Sequence, residues 1–385
     1  MSLYLIIYLI LLLIALFTFL LKKESKVLYY FCFLCLTIML CFRFGQGTDY
    51  FSYAWIYHMA PDSLTFNNIF YTDAVHSEIG WKIINHFFKV ISFSFEDFIL
   101  VLSIFEMLCI NRFIKKYCPI KCLALLLIYP TLYLTYLFST LRQGVVICVF
   151  LGFLLELFIA KKYFRYTVVT VLLGLIHSSA FILLLAFFIV KFRIKTIYKI
   201  LTLASVVGVL FTFGALEPIV NLVSKIGTVD YYLKLSGGIS ISYLALLERL
   251  FFTALVIYMF SIYQNKNKNE SATIEILIKL YLLGTLLYLL FFWNDQIASR
   301  ICYIFKPIEI SLITIFLQKL EKFKTILIII IMFISTLMVV KNINSYIVHG
   351  QYNSNITFLN YPYISRANHQ EIYKIRKINS AYFIN

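Results

Sequence analysis

Five side chains that hydrocarbon ordinarily excludes stand at the ends of apolar runs in this chain: Arg43, Arg142, Gln143, His177 and Arg300. An ionisable group at membrane depth costs about 2.5–3.5 kcal/mol even on a gentle scale, so several on one side imply a watery cavity with an anionic occupant. Guanidinium groups pair with phosphate oxygens through fork-like hydrogen bonds and stay charged under any physiological condition. Taken singly, each arginine could instead be a snorkelling end-cap. His177 could be a buried histidine bonded to Ser178 or Ser179.

A second concentration of chemistry is the stretch CFRFGQGTDYFSYAWIY, residues 41–57. Gly45 and Gly47 permit tight turns close to a ligand. Asp49 supplies a carboxylate, and Tyr50, Tyr53, Trp55 and Tyr57 supply flat amphipathic rings; carboxylates with rings are the pairing that binds sugars. An interfacial aromatic belt would use the same tyrosines and tryptophan. Further on, HSEIGWKIINHFFKVIS places Ile79, Ile83, Ile84, Phe87 and Phe88 on one helical stripe that is too short and polar to span, so it should lie along a membrane surface. Glu78 at its start is either a carboxylate at the positive end of a helix or a catalytic group. Glu248 with Arg249, and Lys306 with Glu309, read as internal pairs, with a kink at Pro307.

These residues are carried by a chain that is 62% hydrophobic and 14% charged over 385 residues, with a mean hydropathy of +0.89. Several runs reach the ~20 apolar residues that cross a bilayer core. The expected fold is all-α: a polytopic helical membrane protein of about 10–12 transmembrane or re-entrant helices with an outer-face cavity. It forms one integral-membrane domain over 1–385, with an outer loop and interfacial helix at 43–95, another outer loop at 217–242, and a polar tail at 342–385 that is either a folded lid or a frayed end. The net charge of +16 reflects 34 Lys and Arg against 18 Asp and Glu. Most of the cations sit in short loops where they orient helices, so nucleic acid is set aside. The eight cysteines lie in apolar runs or beside basic loops and suggest packing, without a disulfide framework.

The first run has LKKESK behind it and no basic residue before it, which predicts an uncleaved span with its N-terminus outside. The run at 165–190 is long enough for one span, yet KKYFR precedes it and KFRIK closes it. A hairpin of two short or re-entrant helices breaking at GLIHSSA reconciles the two ends, and such backbone is tolerated where it lines a polar cavity. The hairpin puts His177 at its tip, and the basic loops inside. A single crossing would invert every later loop.

Arg43 followed by GTDYFSY, then SEIGW, LRQG, IHSSA and RICYIF from Arg300 to Phe305, in this order, resembles the EpsG family of bacterial polysaccharide polymerases, relatives in role of the Wzy-type O-antigen and capsule polymerases. The resemblance covers residues of about 40 to 305. The family pattern usually has a proline in the Glu–x–Gly element, where this chain has Ile79. The resemblance implies a metal-independent glycosyltransferase without a cofactor. It would join oligosaccharide repeat units carried on undecaprenyl pyrophosphate into a capsule, exopolysaccharide or O-antigen, at the outer face of the bacterial cytoplasmic membrane. Membrane lipid, a chain-length regulator and a flippase are the implied partners. In that reading Arg142 and Arg300, with Arg43, hold the pyrophosphate, and Gln143, Tyr50, Tyr53 and Tyr303 contact substrate. His177, Asp49 and Glu78 are the candidates for the base; His177 is preferred, with Asp49 orienting the sugar or the arginines. The rival readings are a flippase or transporter of a lipid-linked glycan, and an O-antigen-ligase-like transferase.

Overall fold

The computed structural model describes residues 1–21, 23–61, 77–214, 239–266, 271–320 and 323–377. Its described residues are helical, with isolated bridges in place of strands. Six helices are long and apolar enough to cross a membrane: Leu3–Leu20, Leu141–Ile159, Ile194–Thr212, Tyr243–Tyr263, Ala272–Phe291 and Lys324–His349. Shorter apolar helices cover Lys26–Cys41, Lys121–Leu137 and Ser178–Ile189. Large apolar side chains such as Leu13, Phe213 and Phe333 are 61%, 81% and 62% exposed. That pattern suits a surface wetted by lipid, where internally paired helix backbone is required. The expected loop at 217–242 falls mostly, and the basic stretch QNKNKNES by half, outside the described residues.

The chain divides into two compact units. The first comprises Met1–Glu156, Val171–Ser178 and Leu320–Asn385. Its apolar helices are tied together by buried tyrosines whose hydroxyls find backbone carbonyls: Tyr129 donates to Tyr4 O (2.8 Å) and Tyr133 to Leu36 O (2.6 Å), with the two rings stacked at 5.4 Å. The helix that carries them widens into a π-helix at Tyr129–Leu137, beginning beside Pro130, which has no N–H to offer. The helix Phe95–Tyr117 opens with a capping box, Ser94 and Asp97 satisfying each other's backbone N–H groups.

The described part of the polar tail is folded. Arg366 pairs with Asp97 at 2.9 Å, Phe44 N–H donates to Ile364 O, and Arg376 donates to Gly350 O (2.8 Å) and Gly45 O (2.7 Å). The tail thus laces down the loop that begins at Arg43.

The second unit comprises Leu157–Thr170 and Ser179–Lys319. The expected single run at 298–317 is two helices, Asp295–Cys302 and Ile308–Lys319, because the turn ending at Pro307 interrupts the hydrogen-bond ladder. Lys306 lies in that turn, buried, paired with Glu248 and 3.6 Å from Glu309. The Arg249 guanidinium lies 5.0 Å from the Tyr288 ring and 5.6 Å from the Tyr303 ring. The internal pairing expected of these four charges holds, with Glu248 reaching Lys306 across 58 residues.

The break at GLIHSSA is present. A helix runs over Tyr163–Gly174, then a 3-10 helix over Ser178–Leu185 and a last turn at Ala186–Ile189. Tyr166 Oη donates to Leu183 O at 2.8 Å, and the Phe187 ring lies 5.5 Å from Tyr163 and 5.4 Å from Tyr166. The second leg therefore returns beside the first, so the two basic ends share one side. Twelve residues at 1.5 Å each make a leg of about 18 Å, too short for a core of about 30 Å.

Candidate functional site

Glu78 occupies the N-cap of the helix Ile79–Val90 with an extended backbone, yet its side chain makes no capping bond to its own helix. Both carboxylate oxygens go elsewhere. Oε1 receives the backbone N–H of Ser178 (3.0 Å) and lies 3.1 Å from His177 Nδ1; Oε2 pairs with Arg142 Nη1. Three motifs far apart in sequence, SEIGW, LRQG and IHSSA, thereby meet at one carboxylate.

Gly80 makes the meeting possible. Its N–H donates to Leu175 O at 2.7 Å, and a Cβ there would lie 2.7 Å from that same oxygen and 2.8 Å from its carbon. No side chain fits between the surface helix and the hairpin tip. A hydrogen bond from the hairpin tip thus enters the first turn of the helix that Glu78 opens.

Arg142 is the second residue of the helix Leu141–Val149, a position where the helix dipole disfavours a cation. Glu78 offsets this, and the Tyr53 ring lies 5.8 Å from the guanidinium carbon. Burial raises the Tyr53 phenol above its ordinary value, with Arg142 pulling the other way. For Glu78, burial pushes upward, but hydrogen bonding to His177, the charge of Arg142 and the Ser178 N–H outweigh it and hold the carboxyl at about 2. Glu78 is therefore ionised at neutral pH, can only accept, and is a feeble base. Donation from Nδ1 to this carboxylate places the lone pair of a neutral imidazole on Nε2, the orientation that a carboxylate–histidine dyad exploits. The side chains of Glu78, Arg142 and His177 are 24%, 18% and 9% exposed, so the group is sheltered and still open to a ligand.

Several polar atoms next to these residues in sequence are buried without a hydrogen-bond partner among the described residues: Ser77 Oγ, Trp81 Nε1, Thr140 Oγ1 and Arg142 Nε.

Other expected site residues have different surroundings. Arg43 is 1% exposed and donates to Leu40 O, to Leu137 O (2.9 Å) and to Ser103 Oγ (3.0 Å), with Phe138 5.0 Å away. Both terminal nitrogens are spent on the fold, Nε has no hydrogen-bond partner among the described residues, and the residue anchors the loop. Gly45 and Gly47 do adopt positive φ, 63° and 89°. The close approach at Gly47, though, is to protein, since a Cβ there would meet Phe138 O at 2.6 Å and Ser139 Oγ at 2.8 Å. Tyr50, Tyr53 and Tyr57 are buried in one cluster with Trp81, Phe95 and Phe98. Tyr50 faces Phe95 at 5.3 Å and presents no open ring to a sugar. The spacing 50, 53, 57 is itself that of one helix face, the inward one.

Asp49 precedes the helix Tyr50–His58 and accepts the Tyr53 N–H at its carbonyl (3.0 Å), which places it one turn from the residue that faces Arg142. Gln143 is buried next to Gly144, where a Cβ would lie 2.9 Å from Glu106 Oε1. Arg300 and Tyr303 belong to the second unit, Arg300 half-buried and Tyr303 in the buried charge cluster.

Gly80 entered the sequence reading only as the glycine of the Glu–x–Gly element, with no contact assigned to it, and Arg376 did not enter at all. The spacing of Gly80 two residues after Glu78 carried a signal for a tight contact. Arg376 carried none, because backbone carbonyls are its partners.

Comparison with curated proteins and with solved structures found no match. A family model does match, over residues 26–365, and it is that of the EpsG family. That range includes Glu78, Arg142 and His177 and ends before Arg376. With its membrane-crossing helices and this match over nearly its whole length, the chain is a membrane-embedded member of the EpsG family, a family of polysaccharide-polymerase type.

Proposed function

We propose that the protein polymerises undecaprenyl-pyrophosphate-linked oligosaccharide repeat units at the outer face of the bacterial cytoplasmic membrane, with Glu78, Arg142 and His177 as its working group. The observation that carries this reading is the Glu78 carboxylate shared by an arginine and a histidine at the tip of a hairpin too short to cross the bilayer. The acceptor hydroxyl attacks the anomeric carbon of the donor as the bond from that carbon to the pyrophosphate oxygen breaks. Undecaprenyl pyrophosphate leaves with the electron pair. His177 Nε2 takes the hydroxyl proton, while Glu78 holds the ring and stabilises the imidazolium that forms. Arg142 stabilises the charge growing on the leaving group. Asp49 orients Tyr53 and through it Arg142. No step requires a metal ion.

The test is to replace Arg142 or His177 by alanine in the producing cell and follow both polymer and the single lipid-linked repeat. Loss of polymer with single repeats accumulating at the outer face is the expected result. Repeats trapped on the inner side would instead favour a flippase, and undiminished polymer would remove these residues from the reaction.

A further inference from the structure

Far along the helix Phe95–Tyr117 from its capping box, the first unit carries an open groove of about 600 Å³. One end is apolar: Phe105, Leu108 and Phe153 are 41%, 58% and 41% exposed. The other end is basic, lined by Arg112, Lys115 and Lys116 with Glu156. From Phe105 to Lys116 is eleven residues along one helix, about 16 Å at 1.5 Å per residue. The groove therefore changes from hydrocarbon to cation over a distance comparable with half a bilayer.

The cations are held in place before any ligand arrives. Glu156 receives Arg112 Nη2 on one oxygen and Lys116 Nζ on the other, each at 2.7 Å. The Arg112 guanidinium carbon lies 4.9 Å from the Phe153 ring and Lys115 Nζ 5.1 Å from the Tyr30 ring. The side chains of Arg112 and Lys116 remain 49% and 43% exposed. Three cations against one carboxylate leave two positive charges in excess. A soluble phosphate would leave the apolar end unused, and a neutral lipid would leave the charge unused.

We propose that this groove binds an anionic phospholipid, its phosphates against Arg112, Lys115 and Lys116 and its acyl chains along Leu108 and Phe153. The excess of two charges matches a diphosphatidylglycerol headgroup. The lipid belongs to the leaflet that meets the basic helix ends, where interfacial cations attract anionic headgroups. The site is separate from the Glu78 group and stands whether or not the reaction proposed above is correct.

The full chain, purified in detergent, is titrated with diphosphatidylglycerol and with phosphatidylcholine by native mass spectrometry. The expected result is binding of the anionic lipid at least about tenfold tighter, and a loss of about tenfold in R112Q/K115Q/K116Q. A control of equal charge, K161Q/K162Q/R165Q, alters the exposed basic loop of the second unit and should change binding by less than about twofold. Should the triple variant misfold, K115Q alone leaves the Glu156 pairs intact and should still lose about threefold. Equal loss in groove and control variants, or none in the groove variants, overturns the proposal. So does preferential capture of farnesyl pyrophosphate by the groove, which would assign it to the prenyl-diphosphate substrate.

Discussion

Glu78 and His177 meet across 99 residues of sequence, Oε1 to Nδ1 at 3.1 Å, with the Ser178 N–H on the same oxygen at 3.0 Å. A carboxylate at a surface-helix terminus thus holds the tip of a hairpin and an imidazole together. Replacing Glu78 by glutamine keeps the size and removes the charge that supports an imidazolium. Polymer synthesis from lipid-linked repeats in membrane vesicles should fall by about 10²-fold or more, chiefly in turnover. Glu78→Asp should recover part of it. A Glu78→Gln protein with normal turnover would leave the carboxylate with a structural role only.

The depressed Glu78 carboxyl has a thermodynamic consequence. Its folded value of about 2 lies below the ordinary 4.5, so its contribution to stability is complete above pH 4.5 and lost as the pH falls toward 2. The contribution is no more than about 3 kcal/mol. Thermal melting in detergent at pH 7, 5 and 3 should show a steeper loss below pH 5 for the native chain than for Glu78→Gln. Parallel curves would contradict the assignment.

Gly80→Ala leaves every chemical group in place and inserts a methyl where Leu175 O stands at 2.7 Å. The hairpin tip must move away from Glu78. A displacement of this order costs about 10²-fold in rate when it misplaces a reacting group. Vesicle assays should show that loss, with the protein still inserting and melting cooperatively.

Arg43 leads to a different expectation. Its guanidinium is buried against Leu137 O, Ser103 and Phe138, so Arg43→Gln, which leaves those acceptors unsatisfied, should destabilise by about 1–3 kcal/mol. The melting temperature should drop, while KM for the lipid-linked repeat stays constant in the protein that folds. A raised KM at unchanged stability would return Arg43 to the substrate site.

The hairpin can be read directly in cells. In a background without the eight native cysteines, single cysteines at Lys162 and Phe192 should react from the same side of the membrane, and one at Ser178 should be reachable from the opposite side. Labelling of Lys162 and Phe192 positions from opposite sides would mean a full crossing.

Much of this architecture was legible in the residues themselves. Apolar run length decides which segments can cross a bilayer, and basic residues at both ends of 165–190 favoured a return over a single crossing, with the break found at Leu175–His177. The motifs SEIGW, LRQG and IHSSA supplied Glu78, Arg142 and His177 as candidates, and the fold brings these three together. What the residues could not decide was which polar side chains serve the fold. Arg43 and Arg142 look alike in sequence, yet one places its terminal nitrogens on Leu40 O, Leu137 O and the Ser103 hydroxyl, and the other pairs with the Glu78 carboxylate. Tyr50 looked like a sugar platform and packs instead against Phe95. A side chain's chemistry is local, but its partners come from segments up to hundreds of residues away, and only chain packing sets those distances. The same physics hid Arg376, whose work is to hold the carbonyl of Gly45 from a tail 331 residues further on.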